Sequence, residues 1–276
     1  MNSKVQSLPI AAAPPPPRVR VRTKPLGYAL MGFWLLLVLL LVVLLGSSLQ
    51  DARILDYAPR LLSGLMVTLY LCAASVIIGG LISLPIAAGL LSRNRLARAL
   101  AFCYSFFFRG TPLIAQLFLV YYGAGQFSGA LKDVGLWTFF RDATFCAIFA
   151  FSLNTAAYQA EILAGAIRAV PKGQWEAAKA LAIPRSVTLT RLIFPQAMIT
   201  ALRPYGNEVI LMIKASAIAS IVTVLDLMGA TRYAFSKTYD MSLYLWAALI
   251  YLILVEILRR VWARLEKRLT RHIRQS

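Results

Sequence analysis

Six apolar stretches, separated by short polar and basic segments, set the rhythm of this chain. They cover about 28–45, 61–91, 99–123, 143–167, 197–224 and 242–261. Each approaches or exceeds the roughly 20 apolar residues that an α-helix needs to cross the hydrocarbon core of a bilayer. Barrel strands would be shorter and would alternate, so the run length predicts helices. The expected fold class is all-α: a polytopic membrane helix bundle with about six spans.

Finer features sit on that rhythm. In the second span Gly64, Thr68, Ser75, Gly79 and Ser83 recur at helical spacing, a small-residue stripe suited to close helix packing. Pro85 is expected to kink its end. Arg93, Arg95 and Arg98 make a short basic loop, and Arg109-Gly110-Thr111-Pro112 lies near the start of the third span. Loops are expected over 126–141, with Lys132, Asp133 and Trp137, and over 226–240. The chain opens on a polar leader, 1–26, with four prolines from Pro14 to Pro17 followed by Arg18, Arg20 and Arg22. That composition builds no core and reads as disorder or extended polyproline structure. The apolar run at 27–46 is too long for a signal-peptide core and GSSLQD is a poor cleavage site, so an extra uncleaved anchor helix is favoured.

Composition agrees with the membrane reading. Hydrophobic residues make up 59% of the chain and charged residues 14%, above and below the usual globular shares respectively. The net charge of +18 invites a nucleic-acid partner, but the basic residues are dispersed among the inter-span segments instead of gathered on a soluble domain. With both termini on one side, that side carries about twenty Lys and Arg against six on the other. The positive-inside rule then puts both termini and the 171–195 segment in the cytoplasm. Cys72, Cys103 and Cys146 all lie in apolar runs, where small buried hydrophobes are expected; neither a disulfide framework nor a metal site fits. The single histidine, His272, lies in the basic tail, which excludes histidine-based chemistry.

One polar stretch between spans stands apart: PKGQWEAAKALAIPRSVTLTRLIFP, residues 171–195. Helix formers predict a helix over 175–181, with Gly173 opening its turn. Pro184 forces Ile183 out of the helical region, Ser186 is placed to cap a second turn through Arg191, and Pro195 is placed to close it. Two readings remain: an amphipathic loop on the lipid headgroups, or a docking knob for a partner protein.

Polar residues at membrane depth are functional candidates. Asn154, Tyr158 and Glu161 follow i, i+4, i+7 and share a helical face. Asn207 and Lys214 share another, with Glu208 beside them and Ser216, Ser220 and Thr223 roughly opposite. Asn154, Tyr158, Glu161, Asn207, Glu208 and Lys214, with Thr68, are candidates for a substrate path, although Thr68 also suits plain packing. Structural pairing is an equal reading for Arg109 with Glu161, and Glu208 has Arg203 or Lys214 within sequence reach. Glu256 is placed to neutralise Arg259 and Arg260.

Glu176-Ala177-Ala178, followed by Ala182, Ile193 and Pro195, resembles the EAA signature of membrane subunits of ATP-binding-cassette importers; Ala182 stands where that family usually has glycine. FFFRGTPLIAQLFLVYYG, LNTAAYQAEILAGAIRAVPKGQWEAAKALA and YGNEVILMIKASAIAS are similar to the polar-amino-acid permease branch, above all to the M-type permeases of histidine, lysine/arginine and octopine systems. The resemblance runs from about residue 61 to the tail. Lys214-Ala215-Ser216-Ala217-Ile218 departs from the family's Lys-x-Thr-Ser-Leu run. The resemblance implies a type I importer transmembrane domain over 60–262, with a coupling loop at 171–195 and a basic cytoplasmic tail at 263–276. It implies that Trp175, Glu176, Ala177, Ala178, Leu181, Ala182 and Ile183 dock onto a homodimeric cytoplasmic ATPase. That ATPase would hold ATP and Mg, with no cofactor on this chain. The other implied partners are a second permease subunit, related or identical, a periplasmic solute-binding protein and membrane lipid. The implied location is a bacterial inner membrane.

The chain has no phosphate-binding loop of the Gly-x-x-x-x-Gly-Lys-Ser/Thr kind and no zinc-protease or triad pattern. A non-enzymatic permease subunit for polar, basic amino acids or opines is therefore the leading expectation. An ion-coupled secondary transporter using Glu161 and Glu208 is the alternative, and a non-transporting scaffold a third.

Overall fold

The computed structural model describes residues 25–48 and 56–270. The leader up to Lys24, the segment carrying Arg53, and the tail beyond Thr270 with His272 lie outside the described residues, and so do the expectations placed on them.

The chain separates into two units, 1–47 and 48–276. The first holds one described helix, α1 (Pro25–Ser48), apolar and exposed along nearly all its length and long enough to cross a membrane.

The second unit is a helical bundle. Its first helix, α2 (Ala58–Leu90), carries the small-residue stripe: Gly64, Thr68, Ser75, Gly79 and Ser83 are all buried. A Cβ at Gly79 would collide with the Thr155 methyl and sit 3.0 Å from the Ser152 carbonyl oxygen, so glycine sets the approach of the two helices here. After a turn whose last residue, Asn94, accepts hydrogen bonds from Leu96 N and Ala97 N, α3 (Arg95–Gly110) begins.

The expected third span is not one rod. It breaks into α3 and α4 (Leu113–Gln126), which meet at 100°. Pro112 is the physical cause: it drives Thr111 to φ −108°, ψ 147°, outside the helical region. The following loop contains two short helices, α5 (Ser128–Asp133) and α6 (Trp137–Phe140). Asp142 then caps α7 (Ala143–Ala169), accepting from Thr144 N and Phe145 N.

The central element is α7. It packs along α2, with α3, α4 and α10 against its other sides. It is also less apolar than the helices that meet a simple length-and-composition criterion for crossing. A helix screened from lipid by its neighbours can carry polar residues that a lipid-facing one cannot. The main core joins Leu71, Leu117, Ala147, Phe151, Met212 and Val222.

Beyond α7 come α8 (Lys172–Ala180) and α9 (Arg185–Val187), then a π-helical turn, Thr188–Ile193, leading into α10 (Phe194–Ser216). A 3₁₀ turn, Ala217–Val222, follows. Residues 226–240, expected as a loop, instead hold α11 (Leu227–Thr238), which packs on α2. Asp226 starts it, fully buried, accepting from Gly229 N at 2.8 Å. Close fit explains the packing: a Cβ on Gly64 would come within 2.8 Å of Ala230 Cβ and the Asp226 carbonyl oxygen. The last span and the first part of the basic tail are one continuous helix, α12 (Ser242–Leu269).

Candidate functional site

The elbow at 171–195 has the two-helix outline expected, with differences at its ends. Pro171 precedes the first turn of α8, so Gly173 lies within the helix instead of opening it. Ser186 does not cap: no side chain caps α9, and the Ser186 carbonyl accepts from Thr190 Oγ1. Pro195 does not close the second turn, because it occupies the first turn of α10, where its missing N–H costs nothing. The chain turns between the two helices at Ala182, with φ +52°. An alanine held there costs about 1–2 kcal/mol relative to the right-handed region. The departure from the family's glycine thus falls at the residue whose backbone would benefit most from it.

The named docking residues divide by direction. Ala178 is buried and Trp175 half-buried against Ile193, Ala197, Ala166 and Val170, which fastens the elbow to the ends of α7 and α10. Glu176, Ala177, Leu181 and Ala182 are exposed, with Leu181 at 73%, and Ile183 is half-buried.

Along α7, Asn154, Tyr158 and Glu161 all face the end of α3. Asn154 Nδ2 donates to the Phe108 carbonyl at 2.9 Å and to Gln116 Oε1 at 3.0 Å. Gln116 Nε2 donates to the carbonyls of Phe108 and Thr111 and to Thr111 Oγ1. Carbonyls freed by the break between α3 and α4 are thereby satisfied by two side-chain amides. Gln116 was missed in sequence; its only signal was an amide four residues after a proline that ends a helix. One turn on from Asn154, Tyr158 has the Arg109 guanidinium 5.5 Å from its ring centroid, and Glu161 pairs with Arg109 at 3.2 Å. A cavity of about 390 Å³ opens beside this pair, bordered by Thr200 and Pro204 of α10.

On α10, Asn207 and Lys214 lie on the exposed face. Glu208 is turned inward and buried, and its Oε1 accepts from Thr155 Oγ1 at 2.8 Å. It pairs with neither Arg203 nor Lys214, for its helical position points it at α7, while Arg203 reaches Glu266 on α12 at 2.7 Å. Gln159 joins the same seam, donating to the Val76 carbonyl and to Thr155 Oγ1. Thr68 is a fastener: it donates to the Gly64 carbonyl and accepts from Leu227 N, tying α2 to the start of α11. Glu256 pairs with Arg259 and Arg260 at 2.8 and 2.6 Å.

A central polar-seamed helix, a broken span and an exposed elbow between two spans make up a membrane helix bundle. Residues 79–271 match the family of binding-protein-dependent transport system inner membrane components. The chain belongs to that family. It is a permease component, and the ion-coupled transporter weighed from the sequence finds no support. Among relatives, the permease is 41% identical over 222 residues to the nopaline transport system permease protein NocM of Agrobacterium fabrum, covering 80% of this chain and 92% of that one. It is 34% identical over 213 residues to the arginine ABC transporter permease protein ArtM of Escherichia coli K12, covering 77% and 96%. A crystal structure of an amino acid ABC transporter with histidines superposes with a TM-score of 0.68 at 33% identity, covering 78% of the permease and 96% of that chain. The methionine transporter MetNI, at 20% identity and a TM-score of 0.66, shares the fold.

Proposed function

We propose that this permease carries basic amino acids or opines across a bacterial inner membrane, with both termini in the cytoplasm. It pairs there with a second permease subunit, a homodimeric ATPase that binds ATP and Mg, and a periplasmic solute-binding protein. The observation that carries the substrate class is the cavity beside Arg109, Tyr158 and Glu161. There the Glu161 carboxylate and the Tyr158 ring hold the Arg109 guanidinium, and a substrate's cationic side chain competes for the same two partners. Relatives named for nopaline, octopine and arginine transport point to the same substrates. Asn207 and Lys214, on the exposed face of α10, extend the path toward the second permease subunit, and α1 adds a membrane anchor.

In this reading the ATPases grip Glu176 to Leu181, and Trp175 and Ala178 pass the movement to the ends of α7 and α10. Coupling requires the binding protein and ATP to favour the same conformer. The test is ATPase activity of the assembled complex, stimulated by binding protein loaded in turn with arginine, lysine, histidine, octopine, nopaline and glutamate. Stimulation by the cationic and opine ligands, reduced about tenfold in Glu161→Gln, is expected. Equal stimulation by glutamate, or an unaltered Glu161→Gln variant, would refute the substrate assignment.

A further inference from the structure

A second cavity, of about 800 Å³, lies beneath the elbow and has no part in the path above. Arg93, Arg168, Lys172 and Arg185, all exposed, line it, and no carboxylate does. None of these four forms an ion pair among the described residues. Four clustered cations without a counter-ion repel one another, so an anion there is favoured. The inner wall is apolar, formed by Leu84 and Ala88 of α2, Leu163 and Ile167 of α7, and Phe194.

The charged lining is held in shape. Arg98 donates twice to the Ser92 carbonyl, at 3.0 and 2.6 Å, and Asn94 caps α3, so the turn carrying Arg93 is fixed. Arg168 donates to the Leu90 carbonyl at 3.2 Å, tying the ends of α7 and α2 together below it. Trp175 also lines the cavity, an amphipathic side chain of the kind enriched at membrane–water interfaces.

We infer that this cavity holds an anionic phospholipid, with its phosphate among Arg93, Arg168, Lys172 and Arg185 and its acyl chain along the apolar wall. Charge complementarity selects an anion, and the wall selects one with a hydrocarbon tail. An acidic surface of a soluble partner meets the first condition and not the second, since the wall belongs to the ends of three membrane helices. The lipid would bridge the α2–α3 turn and the elbow, so that elbow movement is felt by a bound lipid. This inference shares with the proposed function only the assignment of the elbow's side to the cytoplasm.

The test uses the complete transporter, purified from membranes of phosphatidylglycerol and phosphatidylethanolamine, with retained lipids counted by native mass spectrometry. Wild type should keep phosphatidylglycerol through delipidation. The triple variant Arg93→Gln, Lys172→Gln, Arg185→Gln should keep it about tenfold less well. Neutralising Arg264, Lys267 and Arg268 on α12 should leave retention unchanged. Ala88→Trp, which fills the apolar wall without altering charge, should also displace the lipid and serves if the triple variant does not assemble. Equal retention in wild type and both cavity variants would overturn the inference. So would protection of the complex by inorganic phosphate with no lipid retained, or loss of the lipid whenever the ATPase is bound. Glu176→Lys separates the two proposals: it should abolish coupled uptake while the lipid stays.

Discussion

Two proline-directed breaks interrupt this chain, and they are built in opposite ways. At Thr111-Pro112 the corner between α3 and α4 is closed by amide side chains: Asn154 and Gln116 together supply five hydrogen bonds of 2.7–3.2 Å, four of them to Phe108 and Thr111 at the corner. At Ala182–Pro184 the turn between α8 and α9 is closed by backbone, through Ala182 N to the Lys179 carbonyl and Ile183 N to the Ala178 carbonyl, both at 3.0 Å. One hydroxyl, Thr188 Oγ1, donates to the Ile183 and Pro184 carbonyls at 3.5 and 3.2 Å, and no side-chain amide among the described residues takes part. The first corner lies against the central helix; the second stands exposed with an unburied leucine at its tip. Polar backbone inside a bundle must be satisfied by the protein itself, whereas a break outside is served by water. One break is therefore tied into the bundle by side-chain amides, and the other stands at its surface.

The contrast can be broken at either end. The largest effect is expected for Gln116→Leu, which removes three donated hydrogen bonds and leaves Asn154 with the Phe108 carbonyl as its one acceptor. A loss of about 2–3 kcal/mol follows, seen as a melting midpoint lower by about 5–10 °C for the purified complex. An unchanged midpoint would mean that the corner does not depend on its amides. A smaller effect of opposite sign is expected for Ala182→Gly. Relief of the left-handed alanine, less the extra freedom of glycine in the unfolded chain, should stabilise the elbow by about 0.5–1 kcal/mol. Slower amide exchange across 178–183 is the readout, and faster exchange would contradict it. Least of all, Leu181→Ser should alter stability by under about 0.5 kcal/mol, yet reduce coupled uptake. A thermal shift as large as that of Gln116→Leu would show that the tip packs on the protein's own body.

These two breaks also mark what sequence could and could not reveal. Both prolines were legible, and the small-residue stripe of α2 was legible because its period is local. The bend at Pro112 was not, since apolar residues continue on both sides and the groups that settle the corner lie as far as 46 residues away. The shared face of Asn154, Tyr158 and Glu161 followed from helical spacing, but its division into a corner amide and an ion-pairing end depends on where α3 stops. Glu208 illustrates the same limit. Neighbouring cations in sequence suggested a salt bridge, while the fold turned the carboxylate toward Thr155. The helix α11 was hidden because it is short, with polar residues interleaved along it, and its packing on α2 rests on Leu227, Ala230 and the close approach at Gly64.

The central claim is that the exposed elbow is a handle moved by a separate ATPase. A photo-activatable side chain placed at Leu181 in the assembled transporter tests it most directly. The account predicts a covalent adduct with the ATPase subunit whose yield changes when ATP is bound. An adduct with the periplasmic binding protein, or none with the ATPase in any nucleotide state, would contradict it.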